Sequence, residues 1–385
     1  MTEASLPSPD DDRPSGADAD LGESDGSTEA VPRKRRVRVW AWSIGLVIAG
    51  LGIGAAFLVP TPFYLFEPGT VRATQPNISI EGHEAYTTPG EINYPTVGIR
   101  QATVAGLFQG WLDDAIEVQE REQVYPSGDV EEDKVINRRM MDRSKFVATV
   151  VAFSQLGYPV AEVGAGAFVD EVLGTADAAV GSNFPAAGVL EQGDIITAVD
   201  GRRVVIWADL RSLLADHPPG DEVTLTIRRG DDVIEETVTL GTHDEDPSRG
   251  YLGVTGSTAE QSLDLPFELE IDSGRVTGPS AGLAWTLGLI DRLTPGDLAG
   301  GRDVAVTGTM AIDGTVGPIG GLEQKMAAVE RGGYDLFIYP ASSPDDEIAR
   351  IEEMAGDVEL HAVSSLSEAI DVLAPQGLPP APPLS

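Results

Sequence analysis

Two short stretches carry residue types that could do covalent chemistry. One is Gly278-Pro-Ser-Ala-Gly282, and the other is Pro318-Ile-Gly-Gly-Leu322 followed by Lys325. A serine hydroxyl becomes a nucleophile when a base takes its proton, and a lysine is a base only where its surroundings keep it neutral. Ser280 falls at the start of an apolar helix, AGLAWTLGLIDRL, which ends at Thr294-Pro-Gly296. There its hydroxyl would face free backbone N–H groups and the positive end of the helix dipole, surroundings that stabilise a developing oxyanion. The same position is also that of an ordinary N-cap. Lys325 has Leu322, Met326 and Val329 on nearby helical positions. Facing inward it would be desolvated and lose its proton more easily; facing outward it would snorkel to water.

Composition removes several competing chemistries. Cysteine is absent, which excludes disulfides, thiolate metal sites and cysteine nucleophiles. The four histidines are His83, His217, His243 and His361, and no two have metal-ligand spacing on one helix, so no metal site is expected. None lies near either motif, which argues against a Ser-His-Asp triad. No G-x-x-x-x-G-K-[ST] loop occurs, so no nucleotide cofactor is expected and energy-dependent unfolding would need a partner. A net charge of -36 makes nucleic acid an improbable partner, because binding a polyphosphate requires neutralising Lys and Arg.

The elements that must position the two motifs follow from local patterning. A strand, LPFELEID, leads into the serine turn. A second strand runs through Val306 to a hairpin at Asp313-Gly314, returns, and after Ile319-Gly-Gly321 starts the helix that carries Lys325. Upstream, residues 61–157 read as a juxtamembrane region. FYLFEPGTVRATQPNISI suits strands and turns, while IRQATVAGLFQGWLDDAIEVQE and MMDRSKFVATVVAFSQLGY have helical apolar spacing. No chemistry is legible in that region.

Residues 1–38 are expected to form a disordered acidic tail ending in the basic cluster RKRRVR, Arg33 to Arg38. An uncharged apolar run follows, and residues 39–60 are expected to cross a membrane once as a helix. A signal peptide would have a shorter apolar core and a small-residue cleavage site, and a buried core helix would keep a polar face. The basic cluster places the N-terminus in the cytoplasm and everything after residue 60 outside, with Trp40 and Trp42 at the headgroups. Gly45, Ala49, Gly50 and Gly54 form a small-residue stripe that either packs two anchors together or reflects the abundance of glycine in such helices.

Between residues 158 and 242 the pattern becomes short apolar runs between Gly and Asp turns. Pro185-Ala-Ala-Gly188, Gly193-Asp-Ile-Ile196 and Val199-Asp-Gly201 come first, then a helix WADLRSLLADH and two strands joined by Arg-Gly-Asp-Asp. This order resembles a PDZ domain of the kind attached to bacterial envelope proteases. The resemblance implies a groove that takes an extended peptide or C-terminus as an added strand. Its carboxylate loop is expected at Gly164, Ala165, Gly166, Ala167 and Phe168.

Residues 245–375 closely resemble the proteolytic domain of the Lon family, which uses a Ser-Lys dyad. On that resemblance Ser280 is the nucleophile and Lys325 the base, 45 residues apart. Thr307, in Val-Thr-Gly, matches a family threonine beside the dyad, and Thr277 stands where the family commonly has an acidic residue. The backbone around Gly278, Ser280 and Ala281 is expected to supply the oxyanion donors. A membrane span followed by a PDZ domain takes the place of the Lon ATPase, as in the PDZ-containing Lon-like proteases of bacteria.

The expectation is therefore a multidomain protein: a single N-terminal transmembrane helix, a PDZ-like β-rich domain, an α+β Lon-type protease domain, and a Pro-rich tail over 376–385. Its function would be that of a membrane-anchored serine endopeptidase acting on polypeptides selected by the PDZ domain, without an ATPase of its own. The resemblance further implies a hexameric ring. An inactive, tethered PDZ scaffold is the opposing class, and an amidase or esterase using the same dyad is the second enzymatic alternative.

Overall fold

The computed structural model describes residues 33–174, 184–242 and 246–384. The expected acidic tail up to residue 32, most of the polar segment before Pro185, and His243 lie outside the described residues. The chain divides into two compact units, Met1–Leu58 and Val59–Ser385. In the first, α1 spans Arg33–Leu58, and its described side chains, Trp40 and those from Trp42 on, are almost all exposed. Among the described residues no helix is long and apolar enough to cross a membrane.

The second unit begins with β1 (Pro60–Ala73), β2 (Ile78–Glu81), β3 (Glu91–Thr103), α2 (Val104–Leu112), β4 (Glu117–Glu120), α3 (Arg121–Val124) and α4 (Val130–Leu156). Then come β5 (Ala161–Val163), β6 (Ala167–Val172), β7 (Ile195–Val199), β8 (Arg202–Arg203), α5 (Trp207–Ala215), β9 (Glu222–Arg229), β10 (Asp232–Thr239), β11 (Gly241–Thr242), β12 (Gly250–Tyr251), β13 (Val254–Thr258) and β14 (Ser262–Asp264). The last part holds β15 (Glu268–Ile271), α6 (Gly282–Leu293), β16 (Asp303–Val306), β17 (Thr309–Met310), β18 (Val316–Gly317), α7 (Leu322–Gly332), β19 (Leu336–Pro340), α8 (Asp345–Met354), β20 (Glu359–Val363) and α9 (Leu366–Leu373).

A six-stranded sheet in the order β20-β19-β16-β3-β1-β4 organises the part that carries Ser280 and Lys325. Strands β16, β19 and β20 are parallel, as their helical crossovers α7 and α8 require, and β3 joins β16 in parallel through Glu91–Asn93. Strands β16 and β19 are buried on both faces, and their period of two sorts the side chains. Val304, Val306, Leu336 and Ile338 enter one core with α6 and α9, while Ala305, Phe337 and Tyr339 enter another with α7 and α8. Helix α6 is buried on nearly every side and packs along α4, so its sequence is apolar all round rather than striped.

This arrangement revises the reading of residues 61–157. They are not a region apart: β1 and β3 pair over most of their length and complete the six-stranded sheet, and α4 covers α6. The helical spacing expected over IRQATVAGLFQGWLDDAIEVQE gives a helix only at α2, because residues 99–103 and 117–120 are held as strand by their pairing with β1. Tertiary pairing overrides local periodicity here.

The PDZ-like part is inserted between α4 and β15. Its sheet, β10-β9-β7-β6-β13, encloses a separate core of Ile196, Val199, Leu210, Leu225 and Ile227. Strands β5 and β14 pair antiparallel, Ala161 opposite Asp264, and form a two-stranded neck where the insertion leaves and returns. The boundary expected at 242–245 consequently moves to about residue 260, since β13 is an edge strand of this sheet and Leu252 belongs to its core.

Candidate active site

The turn carrying Ser280 is clamped from two sides. From α4, the Ser144 hydroxyl donates to the Pro279 carbonyl at 3.1 Å, and the Asn137 carbonyl accepts from the Gly278 N–H at 2.9 Å. From the strand side, the Ser280 carbonyl accepts from the Gly308 N–H at 2.9 Å. Gly282 is obligatory: a Cβ there would stand 2.9 Å from the Met310 nitrogen and 3.0 Å from Ser144 Oγ. The N-cap of α6 is Ala281, without a side-chain hydrogen bond, so the Ser280 hydroxyl does not serve as the cap. Among the described residues that hydroxyl has no hydrogen-bond partner, and neither do the N–H groups of Ser280 and Ala281. Ser280 is half-buried at the cleft wall.

Lys325 faces inward. Helix α7 places Leu322, Met326 and Val329 in the core and ends on left-handed Gly333. The Lys325 side chain is only 2% exposed, and burial lowers its pKa from 10.5 to about 7. Among the described residues no carboxylate pairs with it, so nothing offsets the desolvation. Its Nζ donates to Thr307 Oγ1 at 3.2 Å, and Thr307 Oγ1 donates to the Ser280 carbonyl at 3.1 Å. Thr307 thus links the Lys325 amine to the turn that carries Ser280. Gly321, at φ 69°, starts α7 against β3, where a Cβ would meet Val97 Cγ2 at 2.8 Å.

Ser280, Ala281 and Lys325 line one cleft of about 770 Å³. Its opposite wall is the Tyr94–Ile99 part of β3, with Arg275 to Thr277 at the rim. Strand β3 loses its β16 partner after Asn93 but keeps β1 on the other side, so this wall is a sheet edge with unpaired backbone groups. Sequence reasoning missed this contribution. The only local signal was the β-branched alternation of the NYPTVGI stretch, and the pairing partners lie far away in the chain.

A second groove, of about 380 Å³, runs in the PDZ-like part between α5 and the edge strand β13. Trp207, Leu210, Leu214 and Leu252 make it apolar, and Arg211 and Arg249 stand along it. The loop expected at Gly164–Phe168 does not line it. The Ala165 and Gly166 N–H groups already donate to the Ala259 and Val205 carbonyls, and Ala167 and Phe168 are paired within the sheet, so this backbone is largely committed to the fold. The groove instead adjoins Gly250-Tyr-Leu-Gly-Val254, a Gly-framed apolar run that the sequence displays just before the edge strand.

Comparison with known proteins agrees with this division. Residues 269–375 match the Lon protease (S16) C-terminal proteolytic domain, and residues 154–240 match the PDZ domain. Lon protease of Erwinia amylovora is 33% identical over 128 residues, covering 33% of this chain and 16% of that protein. Lon protease of Phenylobacterium zucineum is 30% identical over 166 residues, covering 43% and 21%. The chain thus spans about a fifth of these relatives. Among solved structures, the PDZ domain of the SdrC-like protein from Listeria monocytogenes is 27% identical, covers 24% of this chain and 87% of its own, and has a TM-score of 0.21. The chain carries a Lon-type proteolytic domain and a PDZ domain in a multidomain α+β arrangement.

Proposed function

We propose that this protein is a membrane-anchored serine endopeptidase in which Lys325 and Ser280 form a catalytic dyad. The observation that carries the proposal is a buried lysine of pKa about 7, with no acidic partner among the described residues, sharing a cleft with a serine whose hydroxyl is uncommitted. Neutral Lys325 takes the proton of Ser280 Oγ, the alkoxide attacks a peptide carbonyl, and the Ser280 and Ala281 N–H groups receive the oxyanion. The lysine then protonates the departing amine, and water, deprotonated by the same amine, releases the acyl group. Thr307, by accepting from Nζ, fixes the direction of the amine lone pair. Catalytic hydrogen bonds are often long without substrate and tighten when it binds, consistent with a Ser280 hydroxyl that waits unbonded.

An extended polypeptide would add to the β3 edge opposite Ser280, and the α5–β13 groove would hold a second segment or a C-terminus. The basic cluster Arg33–Arg38 followed by the apolar run of α1 supports a single span with the N-terminus cytoplasmic and residues beyond 60 outside. Because the 385 residues hold no P-loop, the reaction would proceed without a nucleotide of the chain's own. A ring of identical subunits accompanies this reading.

The test is cleavage of casein by the full-length protein in detergent without nucleotide, beside Ser280→Ala and Lys325→Ala. Loss in both variants, each still unfolding in one cooperative thermal transition, supports the dyad. Retained cleavage in either variant overturns it, and no cleavage by the unaltered protein, whether in detergent or in vesicles, favours the scaffold alternative.

A further inference from the structure

Helix α2 presents an apolar face that no other part of the described residues covers. Val104, Phe108, Trp111 and Leu112 recur at the spacing of one helical stripe and are 51%, 59%, 75% and 64% exposed. The opposite side of the helix is fastened down: Leu107 packs on the small core of Leu65, Ala102 and Ile116, and Gly106 is buried against Leu65. The Thr103 hydroxyl caps the helix by accepting from the Gly106 N–H, so the exposed stripe belongs to a formed and anchored element. From Gln101 to Leu112 no charged residue occurs, in a chain where 23% of residues are charged. An uncharged stripe with a highly exposed tryptophan is unusual on a surface that meets only water.

The covalent chain indicates what covers it. In the β1–β3 register Pro60 lies opposite Thr103, the N-cap of α2, so the helix starts one strand spacing, about 5 Å, from Pro60. Pro60 follows the last residue of α1, Leu58, by two positions. If the anchor of the proposed function crosses the bilayer, only two residues of chain and one strand spacing, together roughly 12 Å, separate its outer end from the start of α2, which puts that start at headgroup depth.

We propose that α2 seats its Val104-Phe108-Trp111-Leu112 face in the outer leaflet of the membrane, as a second and non-covalent attachment beside the anchor. The occupant is a lipid surface, which receives aromatic and aliphatic side chains at the boundary of headgroups and acyl chains. Cleft-lining Ile99 lies four residues before Thr103, about 13 Å along the strand. A seated α2 therefore holds the cleft close to the membrane, within reach of the membrane-proximal parts of other proteins. The inference rests on the anchor reading.

The chain lacks cysteine, so single labels can be placed without removing any native residue of that type. Trp111→Cys, Leu51→Cys in the apolar run, and Val233→Cys on the exposed β9–β10 hairpin are each made in the full-length protein. Each is labelled with an environment-sensitive fluorophore and reconstituted in vesicles of phosphatidylcholine and phosphatidylglycerol. Quenching by lipids carrying a nitroxide at shallow or deep positions reports depth. The expected result is loss of most emission at 51 with the deep nitroxide, loss of most emission at 111 with the shallow one, and none at 233. Quenching at 51 with 111 behaving as 233 overturns the inference and leaves the anchor standing. A label at 111 shielded from aqueous iodide yet untouched by nitroxide lipids also overturns it, since the face is then covered by protein, a second copy foremost. Absence of quenching at 51 removes the anchor and this inference with it.

Discussion

The Lys325 amine donates to the Thr307 hydroxyl at 3.2 Å, and through that hydroxyl the buried base is tied to the backbone of the turn that carries Ser280. Thr307 is 1% exposed, so water does not compete for either bond. A hydrogen bond of this kind is worth roughly 1.5–3 kcal/mol when one partner becomes charged, as Lys325 would in the first step of the proposed reaction. Thr307→Val keeps the volume and removes the bonds, and is expected to lower kcat roughly 10- to 100-fold. Thr307→Ser should restore most of the loss. A valine variant with unimpaired kcat would show that the threonine is only packing.

The base must be neutral to act. With a pKa of about 7, activity on an uncharged peptide should fall about tenfold per pH unit below 7 and level off above it. A pH profile of kcat/KM, which reports groups of the free enzyme, checks this, and a limb centred near 10 would mean that Lys325 meets solvent.

Stability should follow the same residue with a definite sign. Below pH 7 the lysine is protonated in both states and contributes no slope. Between about 7 and its ordinary value of 10.5 the unfolded chain holds a proton that the native one has released, so stability rises with pH and then levels. Lys325→Met removes the penalty of burying an amine and should raise stability at pH 7 by about 1–4 kcal/mol while abolishing cleavage. Urea unfolding at several pH values measures both effects.

Gly282→Ala forces a methyl group against the Met310 nitrogen and Ser144 Oγ. A cost of about 1–3 kcal/mol is expected, together with a drop in kcat, because the displaced turn carries Ser280. A melting curve and single-turnover kinetics on the same preparation separate the two losses.

A fragment beginning at residue 59 should fold, whereas one beginning at 104 should not. The shorter fragment lacks β1 and β3 and leaves the edge of β16 bare in the middle of the sheet. Circular dichroism and solubility of the two fragments decide it, and a folded, active 104–385 would mean that the N-terminal hairpin is dispensable.

Arg249 and Arg211 have no carboxylate partner among the described residues and stand along the α5–β13 groove. Arg249→Ala should weaken binding of peptides with a free C-terminal carboxylate roughly 3- to 10-fold by fluorescence anisotropy. Peptides with an amidated C-terminus should be unaffected by the substitution.

What could be read from the sequence alone was local. Gly278-Pro-Ser-Ala-Gly282 specifies its turn through the two glycines, and the hairpin at Asp313-Gly314 and the helix from Leu322 are encoded by turn residues and apolar spacing. The two segments that carry Ser280 and Lys325 were legible for that reason, whereas reading the two residues as a pair came from the resemblance to the Lon family. Tertiary structure decided which way Lys325 faces, since helical spacing permits either side and only packing against Ala305 and Phe337 turns α7 inward. It also decided that residues 61–157 complete the sheet beside the Ser280 cleft, and that the groove of the PDZ-like part is lined by Gly250–Val254 and not by Gly164–Phe168. The physical reason is the same in each case. Strand partners are chosen by burial and backbone pairing between segments far apart in the chain, and no window of neighbouring residues contains that information.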